Sequence, residues 1–433
     1  MTSGLDVART LGGHPMAEAI AEHDQLADPY ALPLEAIDVS DPRLLEQDAW
    51  RPYFARLRDE APVHYCADSA FGPYWSITRF DDIKAVDMNH QAFSSEPTII
   101  LGDPPPDFRT RSFIGTDGKA HDEERKAVQP AVAPRQLANL EPLIRQRVAA
   151  ILDGLPVGEA FDWVPAVSIE LTTQMLATLF DFPFEDRHLL PYWSDVATSG
   201  SATGSGKVSE EKRRQELNAM LEYFYRLWKE REAKPGNDFI SLMAQSPAFA
   251  AMDPMTFMGQ LNLLIIGGND TTRNSISGGV YALNRFPEAF AKVKAQPELI
   301  PNMVAEIIRW QTPLAHMRRT VKEDLTFQGQ AMKAGDKVVM WYVSGNRDER
   351  AFEDPDRLII DRPNARGHVS FGYGVHRCMG NRLGEMQLRV LWEELLKRFE
   401  HIEVLAEPER VRSNFVKGYV SMQVMLHPKA RAA

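Results

Sequence analysis

The stretch SFGYGVHRCMGNRLGEMQL, residues 370–388, decides how this 433-residue chain is read. Phe371, Gly372, Gly374 and Gly380 surround Cys378, and a helical pattern runs from about Cys378 to Phe399. Glycines allow tight turns and close backbone approach, so the loop can press against a flat object. A cysteine at a helix start meets amide N–H groups and a helix dipole that favour its thiolate. Two chemistries fit at this point. A nucleophilic cysteine needs a nearby base, and His376 is available. A thiolate that ligates a haem iron needs a wide apolar pocket and a second helix across the metal.

Such a helix is expected at MDPMTFMGQLNLLIIGGNDTTRNSISGGVYALNRFP, residues 252–287. Asp253 is a good N-cap and Pro254 suits the first turn. About 30 residues at ~1.5 Å each span ~45 Å, enough to cross a domain. The apolar run ending at Ile266 gives way to Gly267-Gly268 and then to Asn269-Asp270-Thr271-Thr272-Arg273-Asn274. Polar groups in the middle of a core helix are costly unless they are paired or used. Paired glycines weaken a helix by roughly 1 kcal/mol each relative to Ala, and they admit a ligand close to the backbone.

The rest of the chain frames these two segments. Hydrophobic residues make up 44% and charged residues 25%, as in a soluble globular protein. The formal net charge of -11 argues against general affinity for nucleic acid. Two cysteines, Cys66 and Cys378, cannot form a disulfide framework, so a reducing, cytoplasmic setting is expected. The N-terminus has no apolar signal-peptide core, and no run approaches the ~18 apolar residues of a membrane span. Helical spacing recurs at 141–155 and 218–233, and strand-like runs at 74–80 and 336–343. The expected class is mainly α with small β-sheets. A peripheral extension at 1–35 is expected to precede one domain, 36–433. Two loops stand out. ATSGSATGSGK (197–207) reads as a flexible connection or lid. SEPTIILGDPPPDF (95–108) carries Ile99, Ile100 and Leu101, which pack on the core or on a ligand.

Glu306 and Arg309 stand at i, i+3 on a helical stretch and can pair. A second arginine, Arg357 in DPDRL (354–358), can complete a structural network with them. With these in place the combination resembles the cytochromes P-450. FGYGVHRCMG matches their cysteine loop, Phe-x-x-Gly-x-x-x-Cys-x-Gly, and GGNDTT matches their oxygen-activating helix. Glu306 and Arg309 match their Glu-x-x-Arg, Arg357 matches the arginine that joins them, and all three motifs come in family order over about residues 40–427.

The resemblance implies the family's fold, with haem b lying between the long distal helix and the cysteine-loop helix. It implies Cys378 as axial iron ligand, Phe371 as the shield of its sulfur, and His121, Arg125, Arg319 and His376 as contacts of the haem propionates. Arg377 is a small departure, since that position is often apolar. Asp270 and Thr271 resemble the acid–alcohol pair that handles protons in a monooxygenase. Family members that use peroxide directly lack that pair, and a haem sensor would not need it. A ferredoxin and its reductase are the implied electron donors, with Lys126, Arg377 and Arg382 as a basic docking patch. LLIIGGNDTTRNS, SSEPTIILGDPP and WQTPLAHMRRT resemble the medium-chain alkane terminal hydroxylases. That implies O2-dependent ω-hydroxylation of a small apolar chain, an alkane or fatty acid. Ile99, Ile100, Leu101, Leu263, Ile266, Gly267, Leu314 and Phe415 are then the expected channel. A sterol or terpene hydroxylase is the nearest alternative.

Overall fold

A computed structural model describes residues 26–429. Helices dominate and strands are short, as the sequence pattern leads one to expect. The helices that frame the site are α1 (Trp50–Glu60), α2 (Phe80–Met88), α3 (Gly118–Val128), α4 (Pro134–Asp153) and α5 (Glu170–Leu179). After them come α6 (Leu189–Thr198), α7 (Glu210–Ala233), α8 (Pro254–Arg285), α9 (Ile300–Gln311) and α10 (Asn381–Arg398). The strands used below are β1 (Val63–Cys66), β2 (Tyr74–Ile77), β3 (Phe93–Ser94), β4 (Ala160–Asp162), β5 (Met317–Val321), β6 (Lys337–Met340), β7 (Phe399–Val404) and β8 (Gln423–Pro428). One sheet has the order β1-β2-β6-β5-β3, with β2 and β6 parallel and the other neighbours antiparallel. Another is antiparallel in the order β4-β8-β7.

The expected helices at 141–155 and 218–233 fall in α4 and α7, and the two strand runs give β2 and β6. Helix α10 starts at Asn381, so Cys378 precedes the helix rather than opening it. Of the expected N-terminal extension, residues 1–25 lie outside the described residues. Residues 27–34 run along α1 and β1: Arg56 donates to the carbonyl of Leu32 at 2.7 Å, and His64 Nε2 lies 2.8 Å from the carbonyl of Leu34. Among the described residues no helix is long and apolar enough to cross a membrane.

Helix α8 is the spine. The Asp253 carboxylate caps it, accepting from the N–H of Met255 at 2.9 Å and of Thr256 at 3.0 Å. Its middle and C-terminal turns are buried almost throughout. It packs on α5, α6, α9 and α10, which cover most of its apolar residues.

The expected Glu306–Arg309–Arg357 network needs one correction. Glu306 and Arg309, both fully buried, pair in a two-point contact at 2.7 and 2.8 Å. The second guanidinium on Glu306 is that of Arg362, at 3.0 and 3.1 Å. Arg357 offers only its carbonyl to Arg309, while its side chain turns outward to Glu288. The reason is placement. The chain turns at Asp354, where φ is 43°, and leaves Arg357 on the surface, whereas Arg362 is drawn in to 3% exposure. A buried carboxylate is stable only with its charge compensated and its lone pairs bonded, which two arginines and the Ile359 N–H at 3.0 Å provide.

Candidate active site

The cysteine loop is moulded on the end of α2. Gly372 and Gly374 take φ of +64° and +66°, a region that side chains disfavour. A Cβ at residue 374 would lie 2.7 Å from the carbonyl oxygen of Asp87. The Asp87 carboxylate, 2% exposed, accepts the N–H of Tyr373 at 2.7 Å, the Tyr342 hydroxyl at 3.0 Å and the Arg319 guanidinium at 2.7 Å. The N–H of Cys378 donates to the carbonyl of Phe371 at 2.8 Å, which closes the loop under the sulfur. Cys378 is accessible along one side. That side borders a concavity of about 550 Å³ also lined by Arg125, Lys126, Arg377 and Arg382. The protein packed around the loop partly desolvates the sulfur and raises the thiol pKa. The N–H groups of Gly380 and Asn381 and the charges of Arg125 and Arg377 pull the other way. A sulfur so placed becomes a thiolate when a cation takes its lone pairs.

Beside the loop two histidines meet, with ring centroids of His121 and His376 4.2 Å apart. His121 Nδ1 lies 2.9 Å from the Asp122 carboxylate, but its buried Nε2 has no partner. The buried Nδ1 of His376 has none either. Burial lowers the His376 pKa to about 2, with further lowering from Arg319, His121 and Arg125. Unpartnered buried nitrogens in a positive neighbourhood suit bound anions such as the two propionates of a haem. Arg125 donates to the carbonyl of Arg377 at 2.6 Å, which ties α3 to the cysteine loop. The donor set of thiol, two histidines and two arginines therefore fits a haem.

The middle of α8 supplies the other wall. The paired glycines serve two ends. A Cβ at Gly268 would sit 2.7 Å from the Leu176 side chain on α5, so that glycine is needed for packing. A Cβ at Gly267 would meet nothing within 4 Å, so that glycine faces open space. Thr271 is partly accessible, and its hydroxyl donates to the Gly267 carbonyl at 3.0 Å. Asp270 is fully buried. It accepts from Ser194 Oγ at 3.0 Å and pairs with Arg273 at 2.8 Å. Arg273 also pairs with Asp195 at 2.6 Å, whose side chain is 56% exposed. Burial raises the Asp270 pKa to about 6; Arg273 and Ser194 lower it and Asp195 raises it. A carboxyl so tuned exchanges its proton near neutral pH and is linked to the surface through one arginine.

The expected channel residues fall into two groups. Ile99, Ile100, Leu263, Ile266 and Leu314 keep part of their surface open, and Gly267 is exposed. Leu101 departs from the expectation. Its side chain has no accessible surface and packs in a core with Trp50, Phe54, Val339 and Trp341, so it backs the wall. Phe415 is 5% exposed and stands in a T-shaped contact with His316.

Sequence reasoning missed Asp87, Ser194, Asp195, Arg273, His316 and Arg362. Arg273 alone carried a signal, since it stands three residues after Asp270 on one helix face. The others act across 50 or more residues of chain, and nothing local marks them.

Comparison with known proteins agrees with this geometry. The family profile described as cytochrome P450 matches residues 174–426. The chain is 36% identical to linalool 8-monooxygenase of Pseudomonas putida, over 92% of this chain and 100% of that protein. It is 30% identical to the methyl-branched lipid omega-hydroxylase of Mycobacterium tuberculosis, over 94% of this chain and 98% of that one. The solved structure of cytochrome P450-153 from Novosphingobium aromaticivorans superposes with a TM-score of 0.85 at 45% identity. That match covers 90% of this chain and 99% of the other.

Proposed function

The chain belongs to the cytochrome P450 family, and we propose that within it this enzyme hydroxylates the terminal carbon of medium-chain alkanes or fatty acids. The coarser activity follows from membership: it is a haem b monooxygenase that uses O2 and electrons from redox partners. The haem, when bound, supplies the activation of O2 and the transfer of one oxygen atom into a C–H bond.

Everything else falls to side chains. In our reading Cys378 ligates the iron, Phe371 covers the sulfur, and His121, His376, Arg125 and Arg319 hold the propionates. Thr271 offers a hydroxyl on the face that Gly267 leaves open. Asp270 passes it protons, and Arg273, which stays charged, ties Asp270 to the exposed carboxylate of Asp195. Burial of this relay keeps stray water from the reacting face.

The observation that carries the substrate assignment is that five of the apolar residues expected at the channel, Ile99, Ile100, Leu263, Ile266 and Leu314, keep part of their surface open. Such a wall holds an alkyl chain by burial alone, at ~0.8 kcal/mol per CH₂. Preference for the strong C–H bonds of a terminal methyl must then be steric. One relative supports the assignment, since it is named a methyl-branched lipid omega-hydroxylase. A second reading, an acyclic terpene alcohol, is favoured by the 36% identity to linalool 8-monooxygenase. For electrons we assign a ferredoxin with its reductase, because the concavity beside Cys378 gathers Arg125, Lys126, Arg377 and Arg382 and no acidic residue. The deciding experiment titrates octane and linalool into the ferric protein, follows the low-spin to high-spin change, and identifies products with a generic ferredoxin system. The assignment predicts 1-octanol from octane. Oxidation of linalool with no response to octane would replace it with the second reading.

A further inference from the structure

We infer that His316 is a positioning residue for the substrate channel, its imidazole bridging the two wall loops on which the turn between α6 and α7 is seated. This role deepens the terminal-hydroxylation reading above and rests on it.

His316 lies between Leu314 and β5 and has no accessible surface. Its Nδ1 is 3.1 Å from the carbonyl oxygen of Asn414, and its Nε2 is 3.2 Å from the backbone nitrogen of Leu101. A carbonyl only accepts and an amide N–H only donates. The tautomer is therefore fixed: Nδ1–H donates to Asn414 and Nε2 accepts from Leu101. Trp341 and Phe415 hold the ring edge-on, with centroids at 4.9 and 5.3 Å. Burial lowers its pKa to about 4, so at neutral pH the ring is uncharged and keeps the lone pair that Leu101 needs.

The two joined segments are the loop of Ile99–Ile100 and the loop of Phe415, and each also seats the turn Ser201–Thr203. The N–H of Gly102 donates to the Ala202 carbonyl at 3.2 Å. The N–H of Asn414 donates to the Thr203 carbonyl at 3.0 Å, joined by Ser413 Oγ at 3.3 Å. A Cβ at residue 102 would lie 2.5 Å from the Ala202 Cα, so the turn rests directly on the loop backbone. Leu314 pairs with Val416, and the N–H of Ala315 donates to the Phe415 carbonyl at 2.7 Å, which places Leu314 on the same wall. The imidazole thus helps set the separation of Ile99–Ile100 from Leu314 and Phe415, beside the bonds that Arg318 donates to the carbonyls of Ile99 at 2.7 Å and Leu101 at 3.1 Å. If that separation is the channel width, it decides whether internal CH₂ groups reach the reacting face. A neutral two-ended bridge does this without placing a charge beside an apolar chain.

The test uses the haem-loaded full chain as His316→Phe, which keeps the ring and loses both bonds, and His316→Gln, whose amide donates and accepts. The reduced, carbon monoxide-bound spectrum checks that each is folded. With octane, His316→Phe should cut the ratio of 1-octanol to internal octanols about tenfold, the order of one lost buried hydrogen bond. KM should rise while kcat for total oxidation holds within about twofold, since only ground-state placement is altered. Hydrogen exchange at the amides of Leu101, Gly102 and Asn414 should quicken about tenfold, for the same reason. His316→Gln should restore both. The role is overturned if His316→Phe keeps terminal selectivity and amide protection, or if His316→Gln, with a donor and an acceptor in place, restores neither. Should His316→Phe fail to fold, His316→Asn, which reaches one partner only, takes its place with the same directions. Failure of the wild type to oxidise octane would sink the substrate reading instead, and the exchange comparison would still decide the bridge.

Discussion

Asp270 and Thr271 sit side by side on α8, yet one is sealed in protein and the other faces the opening left by Gly267. That division predicts different failures. Thr271→Ala removes a hydroxyl at the reacting face and leaves the cysteine loop alone. It should keep the thiolate spectrum while reductant is consumed without product and hydrogen peroxide accumulates. Product per reductant is the measurement, and an unchanged ratio would remove Thr271 from the relay. Asp270→Asn takes away the proton carrier and should slow product formation by about 100-fold or more, within the usual range for a lost acid–base group. The pKa of Asp270 is raised by burial to about 6 from an ordinary 3.8. For a raised carboxyl, the stabilisation that protonation gives the fold is present at low pH and fades as pH rises from about 4 to about 6. The wild type should therefore lose stability over that window relative to Asp270→Asn, as thermal unfolding across pH would reveal. At this scale the sequence offers its candidates where a motif fixes the spacing, as for Cys378, Asp270 and Thr271. It misled at Arg357, because a turn decides which of two nearby arginines points inward, and that turn depends on packing the sequence does not display.

Elements were readable in proportion to how local their causes are. Helix α8 declares itself through Asp253, Pro254 and its apolar run, all within one stretch. The channel wall does not, because its bonds join Leu101 to His316, Gly102 to Ala202 and Asn414 to Thr203. Loop 197–207 reads as a flexible connection or lid for its glycines and serines, and the structure adds a 3₁₀ turn, Ser201–Thr203, fastened at both wall loops. The cysteine loop is intermediate. Its glycines were plain in the sequence, but the reason for Gly374 is the end of α2, 286 residues earlier by the Asp87–Tyr373 bond. Gly374→Ala tests that element. The left-handed backbone costs roughly 1 kcal/mol for a side chain. The 2.7 Å approach to the Asp87 carbonyl would push the loop off α2 as well. The expected result is a reduced, carbon monoxide-bound spectrum shifted toward the form lacking thiolate ligation, with secondary structure intact by circular dichroism. A spectrum like that of the wild type would mean that the loop's shape does not depend on its seat against α2.

Across the whole molecule, an acidic chain of net charge -11 presents one basic concavity, and that contrast bears on how electrons arrive. Lys126 and Arg382 are exposed on α3 and α10, on two sides of the cysteine loop, and neither forms an ion pair among the described residues. Unpaired surface cations around a concavity steer an acidic partner more than they stabilise the fold. The distance over which they act is the Debye length, ~10 Å at 0.1 M salt and ~30 Å at 0.01 M. Two charge reversals, Lys126→Glu and Arg382→Glu, should therefore slow reduction by a ferredoxin by 10-fold or more at low ionic strength, within the range steering gives. The deficit should shrink as salt is added, because screening removes the advantage from the wild type first. Reduction by dithionite should be untouched, since a small reductant needs no docking. Stopped-flow reduction across a salt series separates these outcomes. Equal rates for wild type and variant at every ionic strength would place the docking surface elsewhere. Equal slowing with dithionite would mean that the reversals disturbed the cysteine loop itself.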